Sequence, residues 1–284
     1  MESTASRLPI WATVKAAYSL TWKNRIEYLK IARWWLILLL PVLWFENQVE
    51  EPLGPIFGNF CSNDNAYIAT YFFSDYISTD QLHTIFLALP LELLQLLIIA
   101  SIAVAWHRLL LRNESITTNR YLRLDHVVLT YFLLVAFLEF FYELPSFFAL
   151  LGYNKIATIA DESALTLLRL FALIALISGI VMIYILTRIE IILPAKALEL
   201  KDITIKIVRK KTYGSFWRIF TASTLCYLPS LIIYRMFKTG CHDSEIQKML
   251  LVAVAYLLYI LTLPVYLTYL SIVYRHFFEP EKLS

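Results

Sequence analysis

Long apolar stretches recur along this chain at a length that leaves few folds open: IARWWLILLLPVLWF, TIFLALPLELLQLLIIASIAVAW and further runs like them, each set off by a polar or charged connector. A helix rises 1.5 Å per residue, so roughly 20 mainly apolar residues cross a hydrocarbon core about 30 Å thick. Six stretches meet that requirement, at about 29–45, 82–110, 126–150, 164–193, 216–237 and 249–277. Composition agrees, with 59% hydrophobic residues against 17% charged and only 6 glycines in 284 residues. The expected fold is all-α: a polytopic membrane helix bundle of six transmembrane helices, forming a single membrane domain over 1–284.

Six spans place both termini on one side, and the charge pattern says which. With the N-terminus inside, most of the 25 lysines and arginines fall on cytoplasmic segments and span ends. The first outer loop, 46–81, carries Glu46, Glu50, Glu51, Asp64, Asp75 and Asp80 and neither lysine nor arginine. Short loops rich in Lys and Arg are retained on the cytoplasmic side, which predicts an N-in, C-in protein of a cytoplasmic membrane. The net charge of +3 is then a product of topology and gives no ground for nucleic-acid binding. Anionic lipid headgroups are the expected partners of the cytoplasmic face. The basic connector after the fourth span supplies the candidate contacts Lys206, Arg209, Lys210 and Lys211.

Residues 1–28 lack the continuous apolar core of a cleavable signal peptide. Trp11, Val14, Tyr18 and Trp22 recur at helical spacing, with Lys15, Lys23 and Arg25 on other faces. Such a helix suits the cytoplasmic headgroup layer, or equally a seat against the protein's own cytoplasmic loops. The first outer loop is aromatic, with Tyr67, Tyr71, Phe72, Phe73 and Tyr76, and reads as an interfacial anchor, with a ligand lid as the alternative. Cys61 and Cys241 both fall in outer loops and are candidates for a disulfide or stand unpaired, whereas Cys226 lies inside the fifth span.

Carboxylates inside the apolar runs need an explanation, because a charge at the bilayer centre costs several kcal/mol unless protonated, paired or wetted. The stretch FLEFFYELPSFF holds Glu139 and Glu143 one helical turn apart. By helix rise Glu143 lies roughly 10 Å below the outer surface and Glu139 about 6 Å deeper, while Arg169 on the next span sits about 9 Å deep. Glu143 with Arg169 is the expected ion pair. Glu92 and Gln95 lie close to the depth of Glu139, and these three form the candidate polar interior site. Two uses stay open for it, a relay or pocket for a cation or polar group, and polar packing that fixes helix register. Pro41, Pro90, Pro145, Pro229 and Pro264 fall within spans and can kink them. Small residues at Ser101 with Ala105 and at Ala175 with Gly179 favour close helix approach, and with it a compact bundle or a homo-oligomer.

Signatures of catalysis are scarce. The chain has no Walker loop, GxGxxG, HExxH or GxSxG. His83, His107, His126, His242 and His276 are dispersed over both sides of the membrane, so no shared metal site is expected, no cofactor is implied, and no catalytic residue is assigned. His107, His126 and Glu190 could meet at the inner ends of their spans, but a histidine at an interface is ordinarily an amphipathic anchor.

Three short motifs stand out: Trp106-His107-Arg108 closing the second span, Arg188 with Leu193-Pro194-Ala195 after the fourth, and Trp217-Arg218 opening the fifth. With the N-terminal helix they resemble a group of six-span bacterial membrane proteins, similar to the YciC-like family and to the membrane region attached to some glycerophosphodiester phosphodiesterases. The resemblance implies an inner-membrane protein of the bacterial envelope and brings no activity with it. The chain carries no soluble phosphodiesterase domain, and His107-Arg108 is not that enzyme's catalytic pair. The function expected is therefore non-enzymatic, as a scaffold, accessory subunit or lipid-interacting component with a protein partner or further copies of itself. The alternative is a small transporter or channel using the intramembrane carboxylates.

Overall fold

The computed structural model describes residues 7–53, 79–114, 124–157, 162–239 and 245–279. Among these there is no strand, and the apolar runs fold as helices: α1 (Ile10–Lys23), α2 (Arg25–Leu53), α3 (Thr79–Arg112), α4 (His126–Ala157), α5 (Glu162–Ile189), α6 (Ile192–Ala197), α7 (Ile205–Lys211), α8 (Phe216–Thr239) and α9 (Glu245–Phe278). Four stretches are long and apolar enough to cross a membrane, Pro90–Arg112, Leu176–Ala197, Phe216–Ile233 and Tyr256–Phe278, and His126–Tyr142 is a shorter apolar helix. They fall on four of the expected spans, with the shorter helix on a fifth. Of the expected first outer loop, 46–53 continue α2 and 79–81 open α3, while its aromatic residues, Cys61 and Cys241 lie outside the described residues.

Proline does less to these helices than its count suggests. The chain stays helical through Pro41, Pro90, Pro145, Pro229 and Pro264. Only Pro194 accompanies a break, between α5 and α6. Proline cannot donate to the carbonyl four residues back, and its ring crowds that carbonyl. Here that residue is Glu190, whose carbonyl instead accepts from Leu193 N–H at 2.9 Å, a tighter three-residue turn. The fourth apolar run therefore extends past Leu193, and α6 carries it to Ala197.

The helices form a circuit in which each packs on the next, α2 on α3, α3 on α4, α4 on α5, α5 on α8, α8 on α9 and α9 on α2. α9 is the spine, touching α1, α2, α3, α6 and α8, and the short α6 is wedged among α3, α4 and α9. In α3, Ile98, Ala100, Ile102, Ala103 and Trp106 are all buried, the pattern of a helix surrounded by others. α5 instead exposes Leu173, Ile174, Leu176, Ile177, Ile180 and Val181, an apolar face suited to lipid.

Lipid tails are as apolar as leucine, so close packing and interhelical hydrogen bonds hold such a bundle, each bond contributing about 1 kcal/mol. Thr268 of α9 donates to the Pro264 carbonyl at 2.6 Å, and its oxygen receives Trp106 Nε1–H of α3 at 2.9 Å. The Thr21 hydroxyl of α1 lies 2.9 Å from the same atom, and Tyr28 of α2 packs its ring edge-on to Trp106. Three helices thus meet at one threonine, and α2 joins them through Trp106. Nearby, Tyr269 donates to the Ile219 carbonyl at 2.7 Å and Tyr256 to that of Leu36 at 2.6 Å.

α1 takes its place in the same network. Thr13, Val14 and Ala17 are buried, and the helix packs on α8 and α9. Tyr18 donates to the Cys226 carbonyl at 2.9 Å, and burial pushes its hydroxyl above the usual phenol range, so it remains a donor. Trp11 and Trp22 stay 75% and 69% exposed on the adjoining face. The aromatic stripe visible in the sequence is therefore split, with Val14 directed into the protein and the tryptophans outward.

Candidate functional site

The turn at Pro194 that ends α5 leaves Glu190 between two helices, facing the bundle. Glu190 is half-buried, with Tyr142 of α4 donating to Oε1 at 2.7 Å and Tyr266 of α9 donating to Oε2. Thr187, one turn before Glu190, is buried. Tyr227 of α8 packs its ring on Tyr266 with centroids 4.7 Å apart, and Tyr269 stacks on the other side at 5.9 Å. Four elements, α4, α8, α9 and the α5–α6 turn, converge on one carboxylate. Tyr266 is twelve residues from the end of α9, so the site lies roughly 18 Å inside that end by helix rise.

The nearest arginine in sequence does not serve this carboxylate. Arg188 Nε donates to Thr212 Oγ1 at 3.0 Å, Nη1 to Tyr184 at 3.0 Å and Nη2 to the Arg209 carbonyl, which ties α7 back to α5. The polar partners of Glu190 among the described residues are the two phenols.

A second buried polar cluster lies closer to the end that carries the termini. His107 is fully buried on α3, with Nδ1 2.8 Å from Ser271 Oγ and Nε2 3.2 Å from the Tyr131 hydroxyl. Ser271 donates its own proton to the Leu267 carbonyl at 2.9 Å. Its oxygen must then accept from Nδ1–H, which leaves Nε2 to accept from Tyr131. A catalytic serine needs the reverse, a histidine nitrogen taking the hydroxyl proton. The pair is wired as a helix clamp.

Arginines at the same end bind carbonyls. Arg108 Nε donates to Ala197 at 2.8 Å while its Nη2 pairs with Glu199, and Arg112 donates to Leu198. Arg218 reaches the Leu8 carbonyl at 3.1 Å, and Arg275 that of Leu110. The three motifs singled out in the sequence thus act largely as internal fasteners: Trp106 and His107 grip α9, Arg108 grips the end of α6, and Leu193, Pro194 and Ala195 are buried in it. Trp217 is the exception, 72% exposed.

The expected polar residues are distributed differently. Glu92 and Gln95 are half-buried on α3, and Glu139 is exposed on α4, one turn before Tyr142. Glu143 and Arg169 lie on α4 and α5, but their side chains fall outside the described residues, and so does their expected pairing. His107, His126 and Glu190 do not share partners: His126 Nε2 stands 4.0 Å from Glu199, away from both other residues' contacts. The Glu190 centre was the residue set that sequence reasoning underrated. Its signal was TRIEIILPA, a glutamate flanked by isoleucines four residues before a proline. Ending the fourth span near Leu193 placed that glutamate at an interface, whereas the continuation through α6 sets it inside the bundle.

Among the described residues, a helical bundle with span-length apolar helices and a carboxylate held by two phenols at a helix break defines a membrane-embedded protein. In comparisons with family models, curated proteins and solved structures, none matches the chain.

Proposed function

We propose that the chain is a non-enzymatic, lipid-interacting component of the bacterial envelope, spanning the cytoplasmic membrane six times with both termini cytoplasmic. The observation that supports this reading is a division of labour among its cations. Arg108, Arg112, Arg188, Arg218 and Arg275 are engaged with carbonyls and hydroxyls inside the protein. Lys206, Arg209, Lys210 and Lys211 are exposed on α7, where Val208 alone is buried and anchors the helix. Ile205 and Ile207 are exposed beside them, Tyr213 and Trp217 follow, and Lys211 Nζ lies 4.7 Å from the Phe278 ring. Basic residues interleaved with exposed aromatic and aliphatic side chains fit a headgroup layer, each cation near an anionic surface contributing about 1 kcal/mol. Trp22 under the Arg25 guanidinium, at 4.7 Å, repeats the pairing on the α1–α2 side.

The test is lipid retention. The full chain is purified from mixed phosphatidylcholine and phosphatidylglycerol nanodiscs, and bound lipid is counted by native mass spectrometry. Wild type retains phosphatidylglycerol preferentially, and the variant with Lys206, Arg209, Lys210 and Lys211 all changed to Gln loses that preference while keeping its unfolding temperature. An unchanged preference would remove α7 as the contact. The alternative function, transport, draws its support from the carboxylate at Glu190.

A further inference from the structure

We infer that Glu190 is a proton-binding site, with Tyr142 and Tyr266 as the hydroxyls that accommodate its proton. The inference is independent of the lipid-contact reading and holds whether or not the protein transports anything.

Three observations carry it. Glu190 is half-buried within a span-length apolar stretch, where an uncompensated negative charge costs several kcal/mol. The charged or titratable groups around it are identifiable element by element: Tyr142, Tyr131 and Glu139 on α4, Tyr227 on α8, Tyr266 and Tyr269 on α9, and Arg188 on α5. The only cation among them, Arg188, is directed to Thr212, Tyr184 and the Arg209 carbonyl.

The hydroxyls around Glu190 also suit both protonation states. With Glu190 ionised, Tyr142 donates to one oxygen and Tyr266 to the other. With Glu190 protonated, its new O–H needs an acceptor, and Tyr142 can serve if it turns its own proton elsewhere. Tyr142 holds one oxygen and Tyr266 the other, so the change of state needs a hydroxyl rotation on Tyr142 and no movement of a helix. The site also lies at the only break seen within an apolar run among the described residues, where α6 meets α3, α4 and α9. Protonation there acts on the join between α5 and α6.

Infrared difference spectroscopy tests the proposal directly. Full-length protein in lipid is titrated from alkaline to acidic pH, and the carbonyl stretch of a protonated carboxyl is compared between wild type and Glu190→Gln. The expected result is a band that grows as pH falls and is missing from the variant. Tyr266→Phe, which removes a donor to the ionised form and leaves Tyr142 as acceptor for the protonated one, retains the band to higher pH. Should Glu190→Gln fail to fold, dicyclohexylcarbodiimide, which attacks protonated carboxyls in apolar surroundings, is used on the wild type with peptide mapping, and Glu190 is expected to label increasingly as pH falls. Absence of both the band and the label at every pH overturns the inference. Labelling abolished by sodium or potassium at constant pH overturns it too, and makes the site one for a metal cation.

Discussion

Glu190 and Glu199 belong to one connector and are treated in opposite ways. Glu199 sits at the protein's edge with 46% of its side chain exposed, paired with the buried Arg108 and 4.0 Å from His126. Its backbone adopts φ 61°, a left-handed conformation that glycine normally supplies at the end of a helix, and Leu200 N–H returns to the Ala195 carbonyl at 3.0 Å. Glu190 lies inside, accompanied by phenols and by no cation among the described residues. At the edge, a charge helps to close a helix end and water screens it. In the interior, the same side chain is satisfied by neutral donors, so its charge state is left to be set by a proton.

That contrast can be broken from either side. Arg108→Ala is expected to be the most damaging single change, costing about 3 kcal/mol, because it leaves the buried Ala197 carbonyl without its donor and Glu199 without its cation. Thermal unfolding of the purified protein in detergent measures it, and Arg108→Lys, with one donor head in place of a fork, should recover only part of the loss.

On the interior side, Tyr142→Phe and Tyr266→Phe each remove one donor to Glu190 and should cost about 1 kcal/mol singly. The double variant is expected to cost less than the two losses combined, since a carboxyl that has lost one donor can take up a proton. A double-mutant cycle with Glu190→Gln reads that coupling, and strict additivity would count against a shared network.

Glu199 gives smaller effects. Glu199→Gln should cost under about 1 kcal/mol, as for other half-exposed ion pairs. Glu199→Gly loses the same pair but relieves a left-handed residue, a gain of about 1 kcal/mol, and is expected to be close to neutral. A clear loss of stability in the glycine variant would show that the ion pair outweighs the backbone. The fourfold Gln variant of α7 should change stability least, within about 0.5 kcal/mol in detergent, because its side chains are exposed. If it unfolds early, α7 is part of the core fastening and the division of cations fails.

Much of this was legible in the residue order. The apolar runs were long enough to demand helices, Pro194 marked a stop in one of them, and Trp106-His107-Arg108 was visible as an unusual string. What that string grips was not legible, since its partners Thr268, Ser271 and Ala197 lie 162, 164 and 89 positions away. A histidine beside an arginine at a span end looks the same in sequence whether it faces lipid headgroups, a substrate or a serine on another helix. The carboxylates show the same limit. Glu92, Gln95 and Glu139 were singled out by depth along a straight helix, and depth is all a sequence can estimate. Glu190 reads in sequence only as a neighbour of His107 and His126 at the inner ends of their spans, because its phenol partners lie 48 and 76 positions away.

The sequence by itself determined that this chain is helical and membrane-embedded, because no other backbone arrangement serves long runs of Leu, Ile, Phe and Val with so few glycines. Only the tertiary structure decided which polar residues are fasteners and which stand apart. Helix breaks and interhelical contacts settle that, through the direction in which each hydroxyl and guanidinium finds a partner.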